Sequence, residues 1–257
     1  MKMNIKLKYF YFYLILAILL TNTNSFSQIN LSVSGGLTTT QILGDSPNSA
    51  EMISHDNDTS KDYSFGGSFN GVQPGFSILL ELDFGDEIPI SIPIGFEYTM
   101  FDGRERVPVT KSITAWYKHT VNVSTLTFGL NYEFIKTSFS KVGIYAGIEG
   151  RANFIPEGNL YSKIEYKESN EVDINNRKTK DATFRIGGQV KLGIKGEIVP
   201  PIFINTSFGL GIMNLTGRND KRGELLTPGS LDPDFNFETT ESIIYNSYFS
   251  LMLQYKL

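Results

Sequence analysis

Cysteine is absent from this 257-residue chain, which excludes disulfides, thiolate nucleophiles and zinc–thiolate sites together. Histidine is nearly absent, with only His55 and His119 available for proton transfer near neutral pH. Beyond the first twenty residues no run of 18 apolar residues occurs, so the remaining chain offers no helix able to cross a bilayer. Positive charge is in deficit as well, which argues against nucleic acid as a partner because its phosphates demand a basic surface.

The N-terminus carries what the rest lacks. Lys2, Lys6 and Lys8 precede an apolar run from Tyr9 to Leu20, and small Ser25 and Ser27 follow in "SFSQ". This pattern predicts a cleaved secretory signal peptide over residues 1–27, leaving 28–257 as one domain. Removing those three lysines leaves 20 basic against 27 acidic residues, a net charge of −7. An exported chain without disulfides must hold together by packing and hydrogen bonds.

Hydropathy alternates with period two through most of the mature chain. In "VGIYAGIEGRANF", residues 142–154, Val142, Ile144, Ala146, Ile148, Ala152 and Phe154 oppose Gly143, Tyr145, Gly147, Glu149, Arg151 and Asn153. Similar segments run near 29–43, 71–84, 89–101, 126–134, 184–194, 202–212 and 243–257, giving about eight strands. Links near 85–88, 136–141 and 198–201 are short, whereas those near 44–70, 102–118, 155–181 and 216–240 are long and polar. Strict alternation of short and long links predicts an all-β fold: a closed antiparallel up-and-down transmembrane β-barrel, with long loops at one rim and tight turns at the other. Two irregularities are expected, a lost ladder bond or bulge at Pro93 and a bulge near Ser124, where Val121 and Val123 fall out of phase with Leu126.

The composition of the polar face decides which side is wet. It is rich in glycine and serine, including Gly75, Ser77, Gly95, Gly129, Gly143, Gly147, Gly187, Gly193, Ser207, Gly209 and Gly211. A water-facing strand surface has no steric need for glycine, whereas the crowded interior of a barrel of about eight strands does. The same face carries Glu81, Glu97, Glu133, Glu149, Arg151, Arg185, Lys191, Lys195 and Glu197. Hidden charges need partners, which predicts an interior network of acids from the earlier strands against bases from the later ones. The other face is aliphatic with aromatics toward the strand ends, as an interfacial aromatic girdle requires.

The stretch "VSTLTFGLNYEFIKTSFSKVGIYAGIEGRANF", residues 123–154, resembles the PorT-like outer-membrane β-barrel families, in which a strand, a short turn and a Tyr-x-Gly strand recur. The alternating C-terminal residues Phe249, Leu251, Leu253, Tyr255 and Leu257 resemble a barrel-assembly signal, with Leu257 in place of a terminal Phe. The resemblance implies a fold and a location in the Gram-negative outer membrane. The partners that follow are outer-membrane lipid and lipopolysaccharide, the barrel-assembly machinery during insertion, and an unidentified surface or periplasmic partner.

No constellation of residues specifies catalysis. His119 has no Ser or Asp at a spacing that makes a nucleophile site. Asp56, Asp58 and Asp62 in "HDNDTSKD" look like a calcium loop but lack its glycine and its final glutamate. Lys221 and Arg222 form a charged loop tip able to meet lipopolysaccharide phosphates. The expected reading is a non-enzymatic barrel with no cofactor, a filled polar lumen, and a structural or loop-mediated binding role. Alternatives are a narrow solute pore, if the first long loop conceals a further hairpin, a surface enzyme using His119, and a soluble periplasmic ligand-binding barrel.

Overall fold

A computed structural model describes residues 29–50, 66–85, 88–137, 141–219, 223–229 and 241–257. The signal segment, His55, the Asp56–Asp62 run and the Lys221–Arg222 tip lie outside them. Ten strands are described: β1 (Asn30–Leu43), β2 (Gln73–Asp83), β3 (Ile90–Pro108), β4 (Ile113–Thr137), β5 (Val142–Ile155), β6 (Asn159–Tyr166), β7 (Glu171–Lys178), β8 (Thr183–Val199), β9 (Ile202–Thr216) and β10 (Tyr245–Lys256). Every pairing is antiparallel, and β1 pairs with β10 as well as β2, so the sheet closes.

Eight strands make the ring. The hairpin β6–β7 stands outside it, adding to the upper half of β4 above the point where β5 leaves. A further hairpin therefore exists in the third long segment, as an external flap; residues 51–65 of the first long loop, where a hairpin would make a ten-stranded pore, lie outside the described residues. Residues 102–118, expected as a loop, are instead the upper arms of β3 and β4, which stay paired from Asp102–Thr120 up to Pro108–Thr114.

The stagger of the ring follows from its register. Starting at Val33, the pairs Leu80, Ile94, Phe128, Gly150, Gly188, Ile212 and Tyr245 lead round to Leu43, ten residues further along β1. Over eight strands this fixes a strand tilt of about 40°. Both ends of the ring-forming chain lie at the short-turn rim, since β1 starts there and β10 finishes there.

Pro93 interrupts the ladder without shifting it. Ile90–Tyr132, Ser91–Asn131 and Ile94–Phe128 keep one register across β3–β4, and only the intervening pairs are lost. Proline has no N–H to give, and its ring sits over Gly129, where a Cβ would lie 3.1 Å from Pro93 Cγ. No bulge occurs at Ser124; the irregularity in β4 lies between Glu133 and Ile135. Val121 and Val123 are out of phase because they point inward, where they are buried.

The glycine-rich face is the inner one, and one contact shows why. A Cβ on Gly193 would lie 2.2 Å from Tyr145 Cζ, so the phenol ring occupies the space a side chain would need and donates to Asn205 Oδ1 at 2.8 Å. Gly193→Ala is expected to lower stability by about 1–3 kcal/mol through overpacking. Tyr145→Leu in the same chain should recover much of that loss, as read from unfolding midpoints in detergent. Independent, additive losses would mean that this packing does not govern the site.

Outside, the wall is apolar. Leu37, Ile78, Phe128, Ile148, Val190, Leu192 and Leu253 are each more than half exposed, and aromatic pairs Phe76–Tyr98 and Phe154–Phe184 lie with ring centroids 5.4 and 5.0 Å apart toward the long-loop end. Tyr132, Phe134 and Tyr255 are exposed toward the other rim. Each large side chain so displayed would gain about 1 kcal/mol or more by leaving water, so this surface requires hydrocarbon around it.

Candidate functional site

The lumen has three levels, built by residues two apart on successive strands. At the short-turn rim an open vestibule of about 460 Å³ is lined by Asn30, Asp83, Glu133, Lys136, Lys195, Glu197 and Lys256, among others. Lys195 Nζ lies 3.3 Å from Glu81 Oε1 and 4.0 Å from Asp83 Oδ2. Gln254 donates to Ser32 Oγ at 2.5 Å and to Glu81 Oε2 at 3.0 Å, forming the vestibule's roof.

The middle level is a charge cluster. Arg151 reaches Glu97 at 2.7 Å and Glu149 at 3.1 Å, and Lys191 reaches Glu149 at 2.9 Å. All four side chains are 6 % exposed or less. Thr99 donates to Glu97, Gln189 donates to Glu149, and the Arg151 guanidinium lies 5.3 Å from the Tyr248 ring centroid. A cavity of about 10 Å³ beside the cluster, lined by Glu97, Glu149, Lys191, Tyr145 and Tyr248 among others, is about the size of one water probe.

The upper level is apolar, which the period-two reading did not anticipate. The inward residues at the upper ends of the strands are Ile42, Phe101, Val121, Val123, Ile155 and Met213, and they pack with Phe69, Leu225, Leu226 and Ile244 from the loops. Phe69 stacks edge-on against Phe101 at 5.4 Å and nearly parallel to His119 at 5.3 Å. Two long loops are thus folded over the barrel mouth on a hydrophobic seat.

Polar ties hold this cap. Asn48, fully buried, accepts from the Leu226 N–H at 2.6 Å and donates to Glu224 Oε2 at 3.3 Å, linking the first loop to the last. Glu224 also accepts from Ser242 N and Oγ. Lys180 donates to the Glu224 carbonyl and to Thr227 Oγ1. Arg185 forms a two-pronged pair with Glu241, buried on both sides.

Of the nine charged residues singled out in the sequence, Glu97, Glu149, Arg151 and Lys191 meet in the middle cluster, and Glu81 meets Lys195 below it. Glu133 lines the vestibule together with Lys136 and Lys195. Glu197 pairs with exposed Lys141 at the rim, 2.5 Å away. Arg185 is drawn to Glu241, a loop residue that no strand periodicity could flag, and Asn48 and Glu224 were equally invisible for the same reason. His119 sits above the membrane-facing part of β4, fully buried, and among the described residues neither ring nitrogen makes a hydrogen bond of good geometry.

A closed eight-stranded ring with an apolar, aromatic-edged outside and a charged inside defines the class: an integral β-barrel of the bacterial outer-membrane type. No protein-family model and no curated protein sequence matches the chain. Among solved structures it is similar to Ail, the attachment invasion locus protein of Yersinia pestis, at 12% identity over 90% of this chain and 100% of that one, with a TM-score of 0.37. It is also similar to Neisserial surface protein A, at 8% identity over 89% and 97% with a TM-score of 0.37. The outer membrane protease OmpT of Escherichia coli matches at 11% identity over 90% and 97%, with a TM-score of 0.34.

Proposed function

We propose that this chain is a small, non-conducting and non-enzymatic outer-membrane barrel, with a structural or loop-mediated binding role at the cell surface. The observation that carries this reading is the lumen. A vestibule of about 460 Å³ gives way to the buried Glu97–Arg151–Glu149–Lys191 cluster, beside which lies a cavity of about 10 Å³, and an apolar cap covers the far side. Hydrated ions need a continuous wet path, and eight strands leave room only for side chains. Membership of the PorT-like families rests on the likeness of residues 123–154.

The absence of catalysis is supported by His119, whose ring is packed between Phe69 and the chain near Gly158 rather than open to a substrate. A hydrolytic activity lost on His119→Ala with the barrel still folded would overturn that part. In planar bilayers the purified barrel is expected to give no steady conductance, and Phe69→Asp, which should loosen the cap, is expected to give none either because the charge cluster remains below it. Long-lived openings from the unaltered protein would establish a pore instead.

A further inference from the structure

The outer wall does not end where its apolar belt ends. Above Tyr98 on β3 and Ser124 on β4 the same outward face continues onto the upper arms of those strands and across β6 and β7. Its chemistry changes there. The register sets Arg104, Lys118 and Tyr161 in one row, and Arg106, Trp116 and Lys163 in the next. Only two carboxylates share this part of the face, Asp102, which pairs with Arg104 at 2.8 Å and Lys118 at 3.3 Å, and Glu165, which pairs with Lys163 at 2.6 Å. With Lys178 at the end of β7, five cations stand against two acids and make a positive patch on a chain whose net charge is −4.

The patch is accessible. Arg104, Lys118 and Lys163 side chains are 72 %, 43 % and 35 % exposed. The Arg106 guanidinium lies 4.8 Å from the Trp116 ring centroid, a stacked arrangement in which a guanidinium keeps its in-plane N–H donors for an oxyanion. Trp116 is itself 39% exposed and gives a flat apolar surface beside the charges.

Its height limits what it can meet. Arg104 and Arg106 lie six and eight residues above Tyr98, which at the tilt of this barrel is about 15–20 Å above the aromatic belt. A phosphodiester at the hydrocarbon edge lies below that level. A headgroup several sugars tall, bearing phosphates along its height, reaches it while its acyl chains run down the same wall.

The geometry points to this patch as a binding site for the phosphorylated saccharide headgroup of an outer-leaflet glycolipid, held by Arg104, Arg106, Lys118 and Lys163 with Trp116 against a sugar ring. This rests on the membrane placement proposed above. Bidentate guanidinium–phosphate pairing supplies the charge contacts, and continuity of the face with the apolar wall supplies the direction from which the lipid arrives.

The test uses the full mature protein, folded in neutral detergent and titrated with a purified, short-core phosphorylated lipopolysaccharide while the thermal midpoint is followed by heat-modifiable gel shift. Binding is expected to raise the midpoint. The variant Arg104→Gln/Arg106→Gln/Lys118→Gln/Lys163→Gln should bind about tenfold or more weakly while keeping its folded gel mobility, and Lys141→Gln/Lys256→Gln at the opposite rim should bind as the unaltered chain does. If the four-fold variant does not fold, Arg104→Gln/Lys118→Gln alone should weaken binding severalfold. Unchanged binding by these variants, equal binding of the same glycolipid stripped of phosphate, equal binding of phosphatidylglycerol, or tighter binding of a soluble heparin fragment would each overturn the assignment. A chain that is stable and dispersed without detergent would overturn the membrane placement itself, an outcome distinct from a barrel that inserts but ignores the glycolipid.

Discussion

Arg151→Leu is expected to lower the stability of the folded barrel by about 3–5 kcal/mol, more than any single change on the lipid-facing wall. The guanidinium supplies the ion pair of Glu97, whose side chain is 2 % exposed, and one of the two ion pairs of Glu149. Its removal strands the Glu97 carboxylate where water cannot reach it, and breaking one side of a buried pair costs about that much. Lys191→Leu should cost less, because Glu149 keeps Arg151 and the amide of Gln189 as partners. Ile148→Leu, on the outer face, should cost about 1 kcal/mol or less. Urea unfolding in detergent or lipid vesicles gives the ranking, and the double variant Glu97→Gln/Arg151→Met should recover part of the loss because no buried charge is then left unpaired. Equal losses for Arg151→Leu and Ile148→Leu would mean that the two faces have been exchanged.

Acid is expected to loosen the cap through His119. The ring lies above the membrane-spanning part of β4, which begins at Ser124, and faces Phe69, Gly158, Thr179 and Lys180. Burial pushes its pKa down to about 4, Lys180 pushes in the same direction, and the backbone of Gly67 opposes them. In an open cap the ring would titrate near its ordinary 6.5. Between those values the open form takes up a proton that the closed form refuses, so the closed form loses stability as pH falls from about 6.5 to about 4, then loses no more from this group. The full shift corresponds to about 3 kcal/mol. Hydrogen exchange of residues 66–70 and 223–229 should show steady protection above pH 7 and declining protection through that window. His119→Phe, which preserves the stack on Phe69, should remove the decline above pH 4.5. The same decline in both proteins would assign the effect to other groups.

The barrel was legible in the sequence because a closed sheet imposes one rule on every strand. Alternation of Ile144, Ala146 and Ile148 with Tyr145, Gly147 and Glu149 has only one cause when it recurs eight times with short and long links in turn. Glycine on the polar face then separated inside from outside, since only a crowded interior has a reason to remove a Cβ, as Gly193 does for Tyr145. Where the reading slipped, it had extended that rule too far. Val121 and Val123 looked like a bulge because the inner face was taken to be polar along its whole length, whereas the inward face turns apolar beneath the cap. The upper arms of β3 and β4 looked like a loop because Gly103, Glu105, Tyr117 and His119 interrupt Phe101, Val107 and Ala115 on the inner face while Arg104, Arg106 and Lys118 stand outward, and that mixture loses the contrast that marks a strand.

The sequence by itself determined that the chain forms strands, that they close, that the glycine and charge lie within, and which rim carries the tight turns, because each of these follows from local periodicity and the size of side chains. Only the tertiary structure decided that β6 and β7 stay outside the ring, that Arg185 finds Glu241, and that Asn48 joins two loops some 180 residues apart. Those contacts obey no period: they depend on where the loops land once the barrel has fixed their ends, and that position is a property of the closed ring and not of any segment of the chain.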